Sequence, residues 1–214
     1  MALAGCVEYV ATHAEASYHA FAPPAATIEM HNTAGSITVE PWNKPNVEID
    51  AQRRAPTAGD ARAIAITVTH SDSRLVITSE FGTNYGGRDV LYTIHAPPTA
   101  ALDLHQTAGT ITVDGWSGSV DIGQTAGNTT VVLARLDEPQ HVSVHSTAGN
   151  VAITVPASSS AAFDASVFAG KIGGSLGWRT EKKIPGMKAT AIVGKGAAPV
   201  EIDATTGDIT VDSR

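Results

Sequence analysis

One short phrase recurs along this chain and restricts its fold more than any other feature. Each copy has alternating apolar residues, then Thr-Ala-Gly or a close variant, then a second alternating segment. Such self-similarity indicates a repeat fold in which each copy packs against its neighbours. Clear copies occupy residues 27–40, 101–114, 119–132, 141–154 and 199–212, and a degraded copy occupies residues 162–175.

Each copy has the pattern of a strand, a turn and a second strand. In the copy at 101–114, Leu102 and Leu104 precede the turn, and Ile111 and Val113 follow it. A period of two places these side chains on one face, which only stacking against other copies can bury. The glycine shared by all copies predicts a turn with positive φ. These turn glycines are Gly35, Gly109, Gly127, Gly149, Gly170 and Gly207.

The spacing of the copies predicts an all-β solenoid. Successive turn glycines from Gly109 to Gly170 lie roughly 20 residues apart, the length of a solenoid coil. The longer intervals before Gly109 and after Gly170 have room for further coils and loops. Because no segment shows a helical period, we expect little helix.

Composition excludes several functional classes. The chain has 14 basic and 21 acidic residues and a net charge of −7, which argues against nucleic-acid binding. No apolar run is long enough for a membrane-spanning helix. A single cysteine excludes an intramolecular disulfide and a thiolate zinc site. No nucleotide-binding, metalloprotease or nucleophile-elbow motif occurs, so the sequence predicts neither a cofactor nor catalysis.

That single cysteine lies in Leu3-Ala4-Gly5-Cys6, which resembles the lipobox of bacterial lipoproteins. Only two residues precede the motif, so its signal peptide would lie further upstream, or the match arises by chance. Residues 11–27 show no strand pattern. We therefore predict a tether at residues 1–26, with lipidation at Cys6, and a single β-solenoid domain at 27–214. Lipidation of Cys6 would place the protein in the bacterial envelope. If Cys6 is not lipidated, the alternative is that the protein is cytoplasmic.

The three tryptophans lie at similar distances after turn glycines. An exposed Trp42, Trp116 or Trp178 could stack on a sugar ring, and Asp114 beside Trp116 could bind its hydroxyl groups. The alternative is that the three tryptophans lie at corners between strands, where they cover the edge of a coil and are partly buried. We favour this alternative.

Outward positions before the turns carry acidic residues and histidines. The acidic row predicts a solvated surface rather than a calcium site, because the calcium-binding repeat motif is absent. His31, His105 and His145 share one repeat position, but Gly123 occupies it between the last two. We predict surface histidines and no metal site. The outward row contains Glu29, Asp103, Asp121, Ser143 and Glu201, with Asp164 in the degraded copy.

These motifs resemble those of the bacterial β-strand-repeat family named "putative adhesins", a domain of unknown function. The resemblance covers residues 27–214 and includes a strand ending in proline, at 91–97, and a glycine-rich closing phrase, at 194–211. This chain has Thr-Ala-Gly where Ser-Gly is usual. The resemblance implies a right-handed parallel β-solenoid, often lipid-anchored or membrane-tethered, with no established catalytic residues.

Three functions remain open. The leading one is a non-catalytic, lipid-anchored envelope protein that presents a binding or scaffolding surface to a glycan or an envelope protein. The second is a scaffold that assembles end to end through an open C-terminal edge. The third is a polysaccharide-active enzyme with a carboxylate pair formed by Asp103 and Asp121, or by Asp114.

Overall fold

The computed structural model describes residues 14–82, 86–182 and 185–214 of the chain. Cys6 and the lipobox-like motif lie outside these residues. The described part is all-β, as predicted. The strands are β1 Ala14–Ala22, β2 Thr27–Pro41, β3 Val47–Ala55, β4 Ala65–Ser71, β5 Arg74–Glu80, β6 Asp89–Ala96, β7 Ala101–Trp116, β8 Val120–Leu133, β9 Val142–Ala148, β10 Val151–Val155, β11 Ala161–Ala169, β12 Ile172–Gly173, β13 Arg179–Lys182, β14 Met187–Val193, β15 Ala198–Thr206 and β16 Ile209–Ser213.

Helix is minor, as the absence of a helical period predicts. Within the described residues, one short helix, α1, spans Ala58–Ala63. The hydroxyl of Thr57 accepts a hydrogen bond from the Asp60 amide and so caps its first turn. No helix among the described residues has the length and apolarity needed to cross a bilayer.

The repeated phrases stack as parallel strands in register. Gly35 of β2 pairs with Gly109 of β7, which pairs with Gly127 of β8, and Ala126 pairs with Ala148 of β9. The apolar residues of each phrase therefore lie directly above those of the next, and they form one aliphatic core. Ile28, Leu102 and their equivalents are fully buried.

The spatial order of the phrases differs from their order in the sequence. Strand β2 lies between β7 on one side and both β5 and β6 on the other. Strand β15, from the last phrase, lies between β9 and β11. The degraded copy therefore lies outside the last copy, and the last copy is internal to the stack.

The prediction of further parallel coils in the long intervals is wrong in part. Strands β5 and β6 do pair in parallel with β2. However, β4 pairs antiparallel with β5, β3 with β6, and β14 with β11. These antiparallel strands continue the sheet beyond the stacked phrases on both sides.

The expectation of an open C-terminal edge is also wrong. The last strand, β16, pairs in parallel with β10 on one side and with β12 on the other. The amide of Arg214 donates to the carbonyl oxygen of Val155. The argument for end-to-end assembly through this strand therefore fails.

The predicted tether contains a strand. All nine residues of β1 pair antiparallel with β3, from Ala14 opposite Ala55 to Ala22 opposite Val47. The sheet therefore begins well before residue 27. The inward positions of β1 are mostly alanines, and Phe21 points outward with 59% of its surface exposed, so the apolar alternation is hidden in the sequence.

Candidate functional site

A row of buried polar side chains lies on the inner face, just before each turn. Gln106 donates from its amide to the carbonyl oxygen of Gly35 at 2.8 Å, and Gln124 does the same to Gly109 at 2.8 Å. Asn32 accepts a hydrogen bond from the hydroxyl of Ser79 at 2.6 Å. Each glutamine therefore ties its own coil to the turn of the neighbouring coil. The members of this buried polar row are Asn32, Gln106, Gln124 and Ser146. The sequence analysis did not predict the row, although its residues continue the inward alternation of each strand.

The turn glycines are required by close stacking as well as by backbone conformation. Their φ values lie between +120° and +157°. A Cβ atom on Gly127 would lie 1.7 Å from the carbonyl oxygen of Gly109. Only glycine allows the turns to stack so closely.

A groove of about 440 Å³ follows the outer side of these turns across four parallel strands. We call it the histidine–threonine groove. Its side chains occupy the same two positions on successive strands, so imidazoles and hydroxyl groups repeat along it. The residues that define it are His31, Thr33, His105, Thr107, Gly123, Thr125, His145 and Thr147.

Two imidazoles at one end of the groove are stacked. The rings of His31 and His105 lie 4.9 Å apart and within 6° of parallel. Nε2 of His31 lies 2.7 Å from Glu29 Oε1, and Nε2 of His105 lies 2.8 Å from Asp103 Oδ1. Each ring is thus oriented by the carboxylate two residues earlier on its own strand.

Arg74 links the two carboxylates that orient this stack. Its Nε lies 2.5 Å from Glu29 Oε2, and its NH2 nitrogen lies 3.3 Å from Asp103 Oδ2. Hydrogen bonds from His31 and from Arg74 hold the pKa of Glu29 below its ordinary value. Glu29 is therefore a fixed negative charge, unsuited to donate a proton.

Gly123 makes a notch in the row of imidazoles. A Cβ atom there would lie 2.8 Å from Nδ1 of His105, so the His105 ring leans over the glycine. Beyond the notch, His145 lies 3.2 Å from the Ser143 hydroxyl and 3.4 Å from Asp203 Oδ2. As expected from the sequence, His105 and His145 are separated by one strand.

Two other carboxylates of the outward acidic row, Asp121 and Asp164, have an imidazole and a cationic partner. Asp121 lies 3.0 Å from Nε2 of His141, and Asp164 lies 2.6 Å from Nζ of Lys188. Glu201 lies beside Asp164 at a wider surface pocket of about 680 Å³, where Ile192 is 73% exposed. Asp103 and Asp121 occupy adjacent strands, but each is engaged by a different partner.

The three tryptophans are buried or half-buried. Trp116 is fully buried, and its indole donates to the carbonyl oxygen of Ala100 at 2.9 Å. It belongs to the core, so its proposed role beside the exposed Asp114 is wrong. Trp178 is half-buried, and its indole donates to Gly173 at 3.1 Å.

Trp42 is also half-buried, and its ring contacts two other side chains. The ring stacks on His95 at 5.7 Å, and Nζ of Lys44 lies 4.4 Å from its centre. Its indole donates to the carbonyl oxygen of Asn46 at 2.8 Å. Both half-buried tryptophans therefore match the alternative that they cover coil edges.

A known family matches the part of the chain that contains five of the six turn glycines. Residues 92–212, more than half of the chain, match the profile of the family described as Toastrack DUF4097. The chain belongs to the Toastrack family. The resemblance to the bacterial "putative adhesin" domain of unknown function is thereby confirmed. No curated protein matches this Toastrack chain.

One solved structure supports the fold assignment of the Toastrack chain. A "putative cell adhesion protein" from Clostridium sporogenes has a TM-score of 0.65 and 13% identity, over 94% of this chain and 100% of that one. A "putative adhesin" from Bacteroides fragilis has a TM-score of 0.35 and 12% identity, over 95% of this chain and 99% of that one. The first likeness shows a shared fold at low sequence identity.

Proposed function

We propose that this Toastrack chain is a non-catalytic protein of the bacterial envelope whose histidine–threonine groove binds a linear glycan. The observation that carries the proposal is the repetition of imidazoles and hydroxyl groups along the groove. Neighbouring strands are about 4.8 Å apart, so the threonine hydroxyl groups recur at that interval and imidazoles occur on three of the four strands. A ligand that itself repeats can use every copy, whereas a small molecule would contact only one or two.

The charge of the groove favours a neutral polymer. Glu29, Asp103 and Asp121 lie along its side, and the whole chain has a net charge of −7. A polyanion would be repelled by these carboxylates. Sugar hydroxyls both donate and accept hydrogen bonds, so they match threonine hydroxyls and imidazole nitrogens.

The proposed function also includes a proposal for the handedness of the stacked strands. We take the in-register phrases to form a right-handed parallel solenoid, because parallel strands joined by crossover connections are right-handed in about 98% of cases. In a solenoid the groove is straight and runs across the coils. Its length would therefore grow with the number of coils, as a polymer site requires.

The location of the protein is proposed from its N-terminal sequence. We infer that Cys6 is the lipidated residue of an envelope lipoprotein, and the names of the similar solved structures agree with a surface role. Mass spectrometry of the peptide containing Cys6, from membrane and soluble fractions, tests this point. A diacylglyceryl group on Cys6 supports it, and an unmodified thiol in the soluble fraction overturns it.

Glycan binding is tested with oligomers of N-acetylglucosamine of increasing length. We expect affinity to rise with length and to fall in the Thr107→Val and Thr125→Val variants, which remove hydroxyl groups from the groove. Thr110→Val is the matched control, because Thr110 is exposed on β7 but lies outside the groove. An affinity that is independent of length, or equal losses in the control, would overturn the proposal.

A separate experiment tests the proposal that the protein is not an enzyme. The same oligomers are incubated with the protein and analysed by mass spectrometry. We expect them to be recovered intact, because Asp103 and Asp121 are held by separate partners. The release of shorter oligomers in the wild type, and not in Asp103→Asn, would instead establish an enzyme.

A further inference from the structure

A second cluster of histidines and carboxylates lies on the outer face of the N-terminal part of the sheet. Antiparallel pairing places His19 of β1 opposite Asp50 of β3, and Glu48 of β3 opposite His95 of β6. Parallel pairing places Glu40 of β2 beside His95. Strands β1, β2, β3 and β6 thus bring two imidazoles and three carboxylates together.

The distances within this cluster are short enough for shared coordination. Nδ1 of His19 lies 2.6 Å from Asp50 Oδ1, and its Nε2 lies 3.9 Å from Glu48 Oε1. One ligand atom from each of His19, Glu48 and Asp50 lies within 4.8 Å of the other two. Glu48 is the most buried of the three, with 21% of its side chain exposed.

His95 extends the cluster on the other side of Glu48. Its Nδ1 atom is buried, makes no hydrogen bond, and lies 3.5 Å from Glu48 Oε2. Nε2 of His95 lies 3.3 Å from Glu40 Oε2, and its ring stacks on Trp42. Packing therefore holds the His95 ring so that Nδ1, which makes no hydrogen bond, lies near Glu48. Glu48 also lies near His19.

We propose that His19, Glu48 and Asp50 bind a divalent transition-metal ion, with His95 as the fourth ligand. Neutral imidazoles and carboxylates are the ligands that Zn²⁺ accepts from nitrogen and oxygen donors, usually four in number. With both histidines neutral, Glu48 and Asp50 bring two negative charges that a dication would balance. The ion would also supply the partner that Nδ1 of His95 lacks.

The site would have a structural consequence for β1. Among the described strands, β1 pairs with β3 alone, so it is held along one edge. A metal ion shared by His19 and His95 would join β1 to β6 across β3. Such an ion would stabilise the N-terminal edge of the sheet.

The stacked pair in the groove offers a matched comparison. His31 and His105 also lie close to carboxylates, and each Nε2 contacts the carboxylate on its own strand. Their rings are parallel, and the nitrogens do not share one carboxylate as those of His19 and His95 share Glu48. The proposal for a metal site is independent of the proposal for glycan binding.

Isothermal titration of the chelator-treated full chain with ZnCl₂ tests the site. We expect one Zn²⁺ per chain, and an affinity at least about tenfold weaker in His19→Asn and in Glu48→Gln. The control is His31→Asn combined with His105→Asn, which should bind as the wild type does. Absence of stoichiometric binding, unchanged affinity in both test variants, or loss of binding in the control would overturn the proposal.

Hydrogen exchange gives a second measurement that does not depend on affinity. Zn²⁺ should slow amide exchange in β1 of the wild type and leave it unchanged in His19→Asn. His19 is half-exposed, so this variant is expected to fold. Equal slowing in both proteins would place the metal elsewhere and overturn the assignment.

Discussion

The side-chain amide of Gln124 donates to the carbonyl oxygen of Gly109 at 2.8 Å, so a buried residue of one coil holds the turn of the next. The side-chain oxygen of Gln124, Oε1, accepts a hydrogen bond from the Thr129 hydroxyl at 2.5 Å. This one side chain joins the two strand segments of its own phrase to the neighbouring turn. The register of the coils is therefore fixed by polar contacts as well as by the aliphatic core.

We expect Gln124→Ala to lower the free energy of unfolding by roughly 1–3 kcal/mol, because it leaves the buried Thr129 hydroxyl and Gly109 carbonyl without their partner. Urea denaturation followed by circular dichroism measures this change. Thr110→Ala, at an exposed position of the adjacent strand, should stay within about 0.5 kcal/mol of the wild type. Equal effects of the two substitutions would show that the buried amide has no special role.

Gly127→Ala should be far more destabilising than Gly123→Ala, although both positions lie in β8. At Gly127, φ is +127° and the new Cβ would meet the Gly109 carbonyl. At Gly123 the backbone is ordinary, and the nearest group is the His105 ring, which can move. We expect a loss of more than about 3 kcal/mol at Gly127 and less than about 1 kcal/mol at Gly123. Comparable urea midpoints for the two variants would show that the stacked turns tolerate a side chain.

Trp116→Ala should cost about 3–5 kcal/mol, the range for a large aromatic side chain removed from a core. Its indole also donates to the Ala100 carbonyl, which would lose that partner. Trp42→Ala should cost less, because Trp42 is half-buried. Acrylamide quenching of single-tryptophan variants checks the difference in burial, and easy quenching of Trp116 would contradict it.

The ion pairs around Glu29 predict a pH dependence of stability. Because the folded state lowers the pKa of Glu29 below 4.5, the ionised carboxylate stabilises the fold above that pH. The contribution is lost as the pH falls through the lowered pKa. The wild type should therefore lose more stability than Glu29→Gln when the pH falls from about 5 to about 3. Parallel stability curves for the two proteins would show that Glu29 makes no such contribution.

The sequence predicted the local parts of this fold well. Alternation around residues such as Leu102 and Ile111 and the shared turn glycine are local signals, and they are enough to indicate stacked strand–turn–strand units. Strand β1 was missed because its inward side chains are small. Its alternation becomes visible only when β3 is seen beside it.

The spatial order of the coils could not be predicted in the same way. Every phrase has a similar apolar face, so nothing local tells β9 to pair with β15 rather than β11. The cluster around Glu48 was missed for the same reason, since His19 and His95 meet only through long-range pairing. The burial of Gln106 and Gln124 could have been predicted from the sequence, because the inward alternation of each strand continues through them.

The position of the last phrase also affects folding during synthesis. Strands β15 and β16 fill the space between β9–β10 and β11–β12, yet they follow those strands in the sequence and so leave the ribosome after them. Until β15 is made, β9 and β11 each lack the partner of one edge, and unpaired strand edges are prone to aggregate. Strands β2, β7 and β8 can pair early, but β9 to β12 must wait for β15 and β16 before their part of the sheet is complete.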